Sequence, residues 1–179
     1  MTTQELPFRT IPSPADAYTA GSVLSRYMDG LGFRYYWATE GLTDKDLEYV
    51  GCDSSRSLGE TLEHIHNIIT MIEHALTGDV YELPEAVVEL ELAELRQASL
   101  RRIQFVSDQL KATESGALAE FAARFRIGGK VHEYPFWNTI NGVMSDAMYH
   151  VGQIVAFRRA AGNPIDPGVH VYLGARTGS

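Results

Sequence analysis

Asp146 and His150 stand four residues apart in the segment 137–159, whose spacing predicts one long helix. A helix face that only met a core would be apolar, but this face carries a carboxylate, an imidazole and an amide in consecutive turns. Side chains at i and i+4 can reach a single point, so this pair could bind a divalent metal if a third ligand came from elsewhere. The residues that share the face are Val143, Asp146, His150, Gln153 and Phe157.

The same pair is also typical of a simple hydrogen-bonded Asp and His without a metal. Inward polar groups need a partner, but they do not need a particular one. The two interpretations differ in whether a third ligand exists.

Candidate third ligands lie on a second predicted helix, which Ser57 and Glu60 open with a capping box and Gly78 ends. His64 and His66 lie on opposite flanks of the apolar stripe of this helix. Periodicity leaves both open, either as metal ligands or as surface or hydrogen-bonded histidines. The stripe consists of Leu58, Leu62, Ile65, Ile69, Ile72 and Leu76.

Four long helices account for most of the chain, over about 14–40, 57–76, 85–112 and 137–161. Gly128-Gly129 predicts a small β-hairpin before the last of them. The predicted fold is therefore an all-α four-helix bundle with one small hairpin. We expect a single domain over 1–179, with its core at about 15–162, an extended N-terminal arm and a C-terminal tail.

Composition favours an ordinary globular protein, with 45% hydrophobic residues and a formal net charge of -8. The acidic balance argues against nucleic acid as a partner, because phosphate binding needs clustered Lys and Arg. No apolar run is long enough for a membrane helix, and no signal peptide is evident. Cys52 is the lone cysteine, which excludes a disulfide framework and favours a cytoplasmic location. Its neighbours Asp53 and Asp46 disfavour a thiolate.

Three motifs occur in a fixed order along the chain. They are G-L-T-D-K-D-L at 41–47, S-L-G-E-T-L-E-H-I at 57–65 and M-Y-H-V-G-Q-I at 148–154. Together they resemble the DinB/YfiT-like family of metal-binding helical bundles. The resemblance covers about residues 15–162, and it is the combined order and spacing of the motifs that makes it specific.

The resemblance implies a metal site formed by His64, Asp146 and His150. It selects His64 over His66, and it places Asp146 where most of the family has the first histidine of a His-x-x-x-His pair. Two histidines and one carboxylate suit zinc or nickel first, with iron or manganese as alternatives. The family also implies an up-down-down-up helix order and a homodimer, which periodicity alone does not show.

The family implies a metal-dependent hydrolase or a transferase that uses a low-molecular-weight thiol, acting on a small molecule. The metal would activate a water or the thiol. Gln153 would orient a ligand or substrate, and Asn141 and Tyr149 are further candidates for that role. The alternative function is a non-catalytic dimeric bundle with a structural or vestigial metal site. The sequence assigns no role to His66, His132 or Cys52.

Overall fold

Four long helices form the body of the protein in this computed structural model, which describes residues 5–178. They are α1 (Ala20–Thr39), α3 (Leu58–Thr77), α4 (Leu92–Ala112) and α6 (Ser145–Ala160). Two short helices, α2 (Asp44–Leu47) and α5 (Phe136–Thr139), and a 3₁₀ turn (Ala117–Glu120) accompany them. The strands are β1 (Val80–Leu83), β2 (Ala122–Ile127), β3 (Lys130–Pro135), β4 (Val169–His170) and β5 (Ala175–Arg176).

The prediction of an all-α fold is wrong, because the chain builds two sheets. β1 pairs in parallel with β2, β2 pairs antiparallel with β3, and β4 pairs with β5. The protein is therefore mixed α/β, and α4 is the crossover between the parallel strands. Val80–Leu83 is too short to give a periodic signal, and its partner lies beyond α4, so local sequence patterns did not reveal this pairing.

The predicted helix boundaries hold for α3 and fail at the starts of α1 and α4. α3 has the expected Ser57–Glu60 capping box and ends at Gly78, which has a φ of 81°. α1 begins at Ala20 rather than near Pro14, and Thr19 caps it. α4 begins at Leu92, and residues 84–91 form no helix or strand.

The core lies between the long helices, where α3 packs against α4 on one side and α6 on the other, and α1 also contacts both. This arrangement gives α3 two buried flanks that face different neighbours. The core centre includes Met28, Leu31, Ile65, Ile103 and Ile154, all completely buried. Two polar residues on opposite flanks of α3 therefore enter different environments.

The N-terminal arm packs on this body and meets the C-terminal hairpin β4–β5. Phe8 is 5% exposed, and its ring covers Gly32 so closely that a Cβ there would lie 2.5 Å from it. Further along, the amide of Ile11 donates to the carbonyl of Gly174 at 2.8 Å. The arm and tail are thus joined to each other as well as to the helices.

Within residues 5–178, no helix has both the length and the apolar character that crossing a bilayer requires.

Candidate metal site

A break precedes the first site residue of α6, so the prediction of one continuous helix over 137–159 is wrong. After α5, residues Ile140–Met144 form a π-helical turn in which Gly142 has non-helical angles (φ -91°, ψ -105°). The Ser145 hydroxyl donates to the Ile140 carbonyl at 3.0 Å, which satisfies one group freed by the break. The missed signal was Asn141-Gly142, two poor helix formers inside the pattern.

α3 and α6 bring together the three predicted ligands, His64, Asp146 and His150. The His64 Nε2 lies 3.8 Å from the Asp146 Oδ2, and the His150 Nε2 lies 3.4 Å from the Asp146 Oδ1. The two imidazole rings meet edge to face, with centroids 4.8 Å apart. One ligand atom from each residue lies within 4.8 Å of the other two, so the group could hold a metal ion.

The spacing of these atoms fits a small divalent cation. Metal–ligand bonds of about 2.0–2.2 Å in a tetrahedron separate neighbouring ligand atoms by about 3.3–3.6 Å. The observed 3.4 and 3.8 Å, which run to different oxygens of Asp146, lie within and just beyond this range, and neither contact forms a hydrogen bond within residues 5–178. Three potential ligand atoms therefore converge on one region, as a cation site requires.

Gln153 fixes the state of His150 from one turn further along α6. Its Oε1 lies 2.8 Å from the His150 Nδ1. An amide oxygen can only accept, so Nδ1 carries the proton and Nε2 keeps its lone pair. That lone pair lies on the Asp146 side of the ring, where a metal would be held.

Burial keeps the pKa of His64 below its ordinary value, and the positive charge of Arg56 and the neighbouring His150 lower it further. Glu85 and Asp146 act in the opposite direction but do not outweigh these effects. His64 is therefore neutral near pH 7, which is the form that binds a metal. Sequence reasoning did not identify Arg56 as a neighbour of this site.

The cluster opens to solvent through its carboxylate. The side chain of Asp146 is 47% exposed, compared with 19% for His64 and 10% for His150. Tyr149 borders the site, since its ring centroid lies 5.5 Å from that of His150 and the residue is 72% exposed. Asn141 is exposed within the π turn.

The other candidate histidines lie outside the cluster. His66 faces α4, where its Nδ1 bonds with the Ser99 hydroxyl at 2.9 Å, and burial followed by the charge of Arg102 lowers its pKa to about 4. His132 lies exposed on β3. The structure therefore brings His64, and not His66, to the α6 residues.

Cys52 is exposed, and its neighbours differ from those that the sequence indicated. Hydrogen bonds from Ser54, and then from Ser55, lower the pKa of the thiol. Asp46 instead accepts hydrogen bonds from Thr43 and Asn163. The hydroxyls of Ser54 and Ser55, rather than acidic side chains, are thus the groups that act on the pKa of this thiol.

Comparisons of the chain with protein-family models, curated proteins and solved structures find no match. The resemblance to the DinB/YfiT-like family therefore stays a prediction from the three motifs.

Proposed function

We propose that the protein is a metal-dependent enzyme of the DinB/YfiT-like type, acting on a small molecule as a hydrolase or a thiol-dependent transferase. The observation that carries this proposal is the convergence of His64, Asp146 and His150. Three protein ligands leave at least one position free on a four-coordinate metal, which is the arrangement of catalytic rather than closed structural sites.

Each residue has a separate task in this site. His64 presents a neutral imidazole, His150 presents its Nε2, and Asp146 supplies the negative charge that offsets part of a divalent cation's charge. Gln153 holds His150 in the tautomer that leaves Nε2 free. The exposure of Asp146 gives a reactant access from solvent.

A bound metal would supply Lewis acidity that brings the pKa of a water or of a small thiol towards neutrality. The burial of His64 and His150 keeps bulk water away from the side of the cluster that faces the core. The ligand set of two imidazoles and one carboxylate favours zinc or nickel, and it also suits iron or manganese.

Metal analysis of the protein purified without a metal-affinity tag tests the site. We expect near-stoichiometric zinc or nickel in the wild type and loss of it in His64→Ala, Asp146→Ala and His150→Ala. Binding should weaken more than about 100-fold in each variant, since loss of an outer-shell partner alone costs about 10- to 100-fold. His132→Ala, which removes an exposed histidine on β3, is the matched control and should keep its metal.

Activity is then measured on the reconstituted protein with chromogenic esters and amides, and with an electrophile in the presence of a small thiol. Turnover that requires both the metal and the three ligands supports the enzyme. Stoichiometric metal without turnover in either assay would support a structural site instead. A wild type that takes up no metal after reconstitution would overturn the proposal.

A further inference from the structure

Arg56 and Glu85 place two opposite charges near His64, one before it and one after it along α3. Arg56 directly precedes Ser57, the cap residue, which shares a helix face with His64 two turns further on. Beyond His64, the next turn of α3 carries Asn67, whose amide donates to the carboxylate of Glu85 at 2.8 Å. The metal cluster therefore has a cation on one side of it and an anion on the other.

The electrostatics of His64 indicate that both charges are close to its ring. After burial, the charge of Arg56 has the largest effect on the pKa of His64, and Glu85 has a larger effect than Asp146. Asp146 itself approaches His64 to 3.8 Å, with a side chain that is 47% exposed. Charge effects fall with distance and are screened by solvent, and Arg56 is also exposed. Its guanidinium therefore lies at a similarly short range from His64.

The guanidinium of Arg56 is not used by the fold. In the described part of the chain, it forms neither an ion pair nor a side-chain hydrogen bond. The nearby carboxylate of Glu60 instead accepts from the amide of Ser57 at 2.7 Å, as part of the helix cap. The cluster thus has an exposed cation beside it that is available to a ligand.

A divalent cation in the cluster would leave the site with one net positive charge. Both imidazoles bind a metal in their neutral form. The cation and Arg56 together carry three positive charges, and Asp146 and Glu85 carry two negative ones. Repulsion between Arg56 and the cation would weaken metal binding, and an anionic group between them would remove it. A carboxylate balances the site, whereas the nearly double charge of a phosphate monoester exceeds what is needed.

We propose that the small molecule on which this site acts carries a carboxylate, which Arg56 binds while the reactive group lies at the metal position. This inference rests on the function proposed above and adds the class of substrate to it. A planar guanidinium matches a carboxylate with two parallel hydrogen bonds, a geometry that lysine lacks. Asp146 and Arg56 are both exposed, so one molecule can reach the two groups from solvent.

Thiol binding to the cobalt(II)-loaded protein tests this inference without measuring turnover. A thiol that binds cobalt gives a thiolate-to-metal absorption band. The probes are 3-mercaptopropionate and 4-mercaptobutyrate, which hold a carboxylate at two distances from the sulfur, neutral 3-mercaptopropan-1-ol, and 3-mercaptopropyl phosphate. We expect one of the carboxylates to bind about tenfold more tightly than the alcohol, as one hydrogen bond to a charged group allows. The phosphate should bind no more tightly than that carboxylate.

Variants of Arg56 separate its contact from chelation of the metal by the probe itself. Arg56→Gln should keep its cobalt, weaken the preferred carboxylate about tenfold and leave the alcohol unchanged. Arg56→Lys should fall between the two, because the charge remains and the planar fork is lost. Arg159→Gln is the matched control, since it removes an exposed arginine from the face of α6 opposite His150. It should bind all four probes as the wild type does.

Glu85→Gln tests the balance of charge. The glutamine keeps an oxygen that accepts from Asn67 but removes one negative charge from the site. The phosphate probe should then bind about threefold more tightly or better, and it should gain more than the carboxylates do. Unchanged phosphate binding in this variant would show that Glu85 does not set the charge of the site.

Equal affinity of wild type and Arg56→Gln for both carboxylates would overturn the inference. So would tighter binding of the phosphate than of either carboxylate by the wild type. Both results leave the proposed function standing, because the thiols still bind the cobalt. A protein that takes up no cobalt, or one whose bound cobalt accepts none of the four thiols, would instead overturn the proposed function and this inference with it.

Discussion

At the scale of single residues, Gln153 orients the ring of His150, which supports the role proposed for His150 as a ligand. The contact from its Oε1 to Nδ1 at 2.8 Å sets the tautomer, and the lone pair on Nε2 follows from it. The residue acts through His150 and needs no contact of its own with a metal or substrate.

Replacing Gln153 by Leu should weaken metal binding by about 10- to 100-fold, because the ring would lose its acceptor and its fixed tautomer. Gln153→Glu, which keeps an acceptor oxygen, should retain most of the affinity. Competition against a chromophoric chelator measures the change. Gln97→Leu, an exposed residue on α4, is the control. Unchanged affinity in Gln153→Leu would show that the hydrogen bond has no part in binding.

The sequence predicted the residues of this cluster better than it predicted their surroundings. The i, i+4 spacing of Asp146 and His150 depends on one helix alone, and α6 contains both residues, so their side chains lie on the same face as predicted. His64 and His66 both flank the stripe of α3, and periodicity does not encode which neighbour each flank meets. Only the resemblance distinguished them, and the structure places His64 towards α6 and His66 towards α4.

At the scale of elements, the wrongly predicted helix boundaries include the break before α6 and the late start of α4. The π turn before α6 contains Gly142, whose non-helical angles end the predicted periodicity. The first turns predicted for α4 are absent, because residues 84–91 run from the end of β1 to Leu92 without forming a helix. Neither event leaves a periodic pattern in a single segment.

Asp46 links α2 to the loop that follows α6. Its carboxylate accepts from the amide and hydroxyl of Thr43 at 2.8 Å and from the side chain of Asn163 at 2.9 Å. Burial opposes its ionisation, but the hydrogen bonds from Asn163 and Thr43 outweigh this and lower its pKa. The ionised form is thus the one that holds these elements together.

Asp46→Asn should lower the free energy of unfolding at pH 7 by about 1.5–3 kcal/mol, the range for hydrogen bonds to a charged group. A lowered pKa in the folded state gives stability that is present above the ordinary value of 3.8 and lost as the pH falls through the folded value. The deficit of the variant should therefore shrink below about pH 4.

Urea unfolding at pH 7, 5 and 3 measures this difference. Asp44→Asn is the control, since Asp44 is an exposed carboxylate in the same short helix. A deficit in Asp46→Asn that stays constant down to pH 3 would contradict the role of the ionised carboxylate.

At the scale of the whole molecule, the N-terminal arm closes one side of the core. Phe8 adopts left-handed backbone angles, with a φ of 70°, and buries its ring on Gly32. The carbonyl of Arg9 accepts a hydrogen bond from the Trp37 indole at 3.2 Å. The fluorescence of the Trp37 indole should therefore change if the arm leaves its position on the helices.

Phe8→Ala should destabilise the protein by about 3–5 kcal/mol if the arm unfolds together with the body. Should the arm detach alone, Trp37 becomes exposed, and its fluorescence shifts to the red before the main transition. The measurement is made in a Trp137→Phe background, since Trp137 is the other tryptophan and is 75% exposed.

Phe105→Ala, at a residue that is 37% exposed, is the control and should change neither the free energy of unfolding nor the emission of Trp37 greatly. A Phe8→Ala variant with wild-type stability and emission would contradict this account of the arm.

The contact between Ile11 and Gly174 nearly closes the chain into a ring. A linker that joins the arm to the tail, with new ends opened at the exposed Gly128-Gly129 turn, would give a circular permutant that keeps α1, α3, α4 and α6 uncut. In that rearranged chain, α6 would precede α1, while His64, Asp146 and His150 would keep the same neighbours in space.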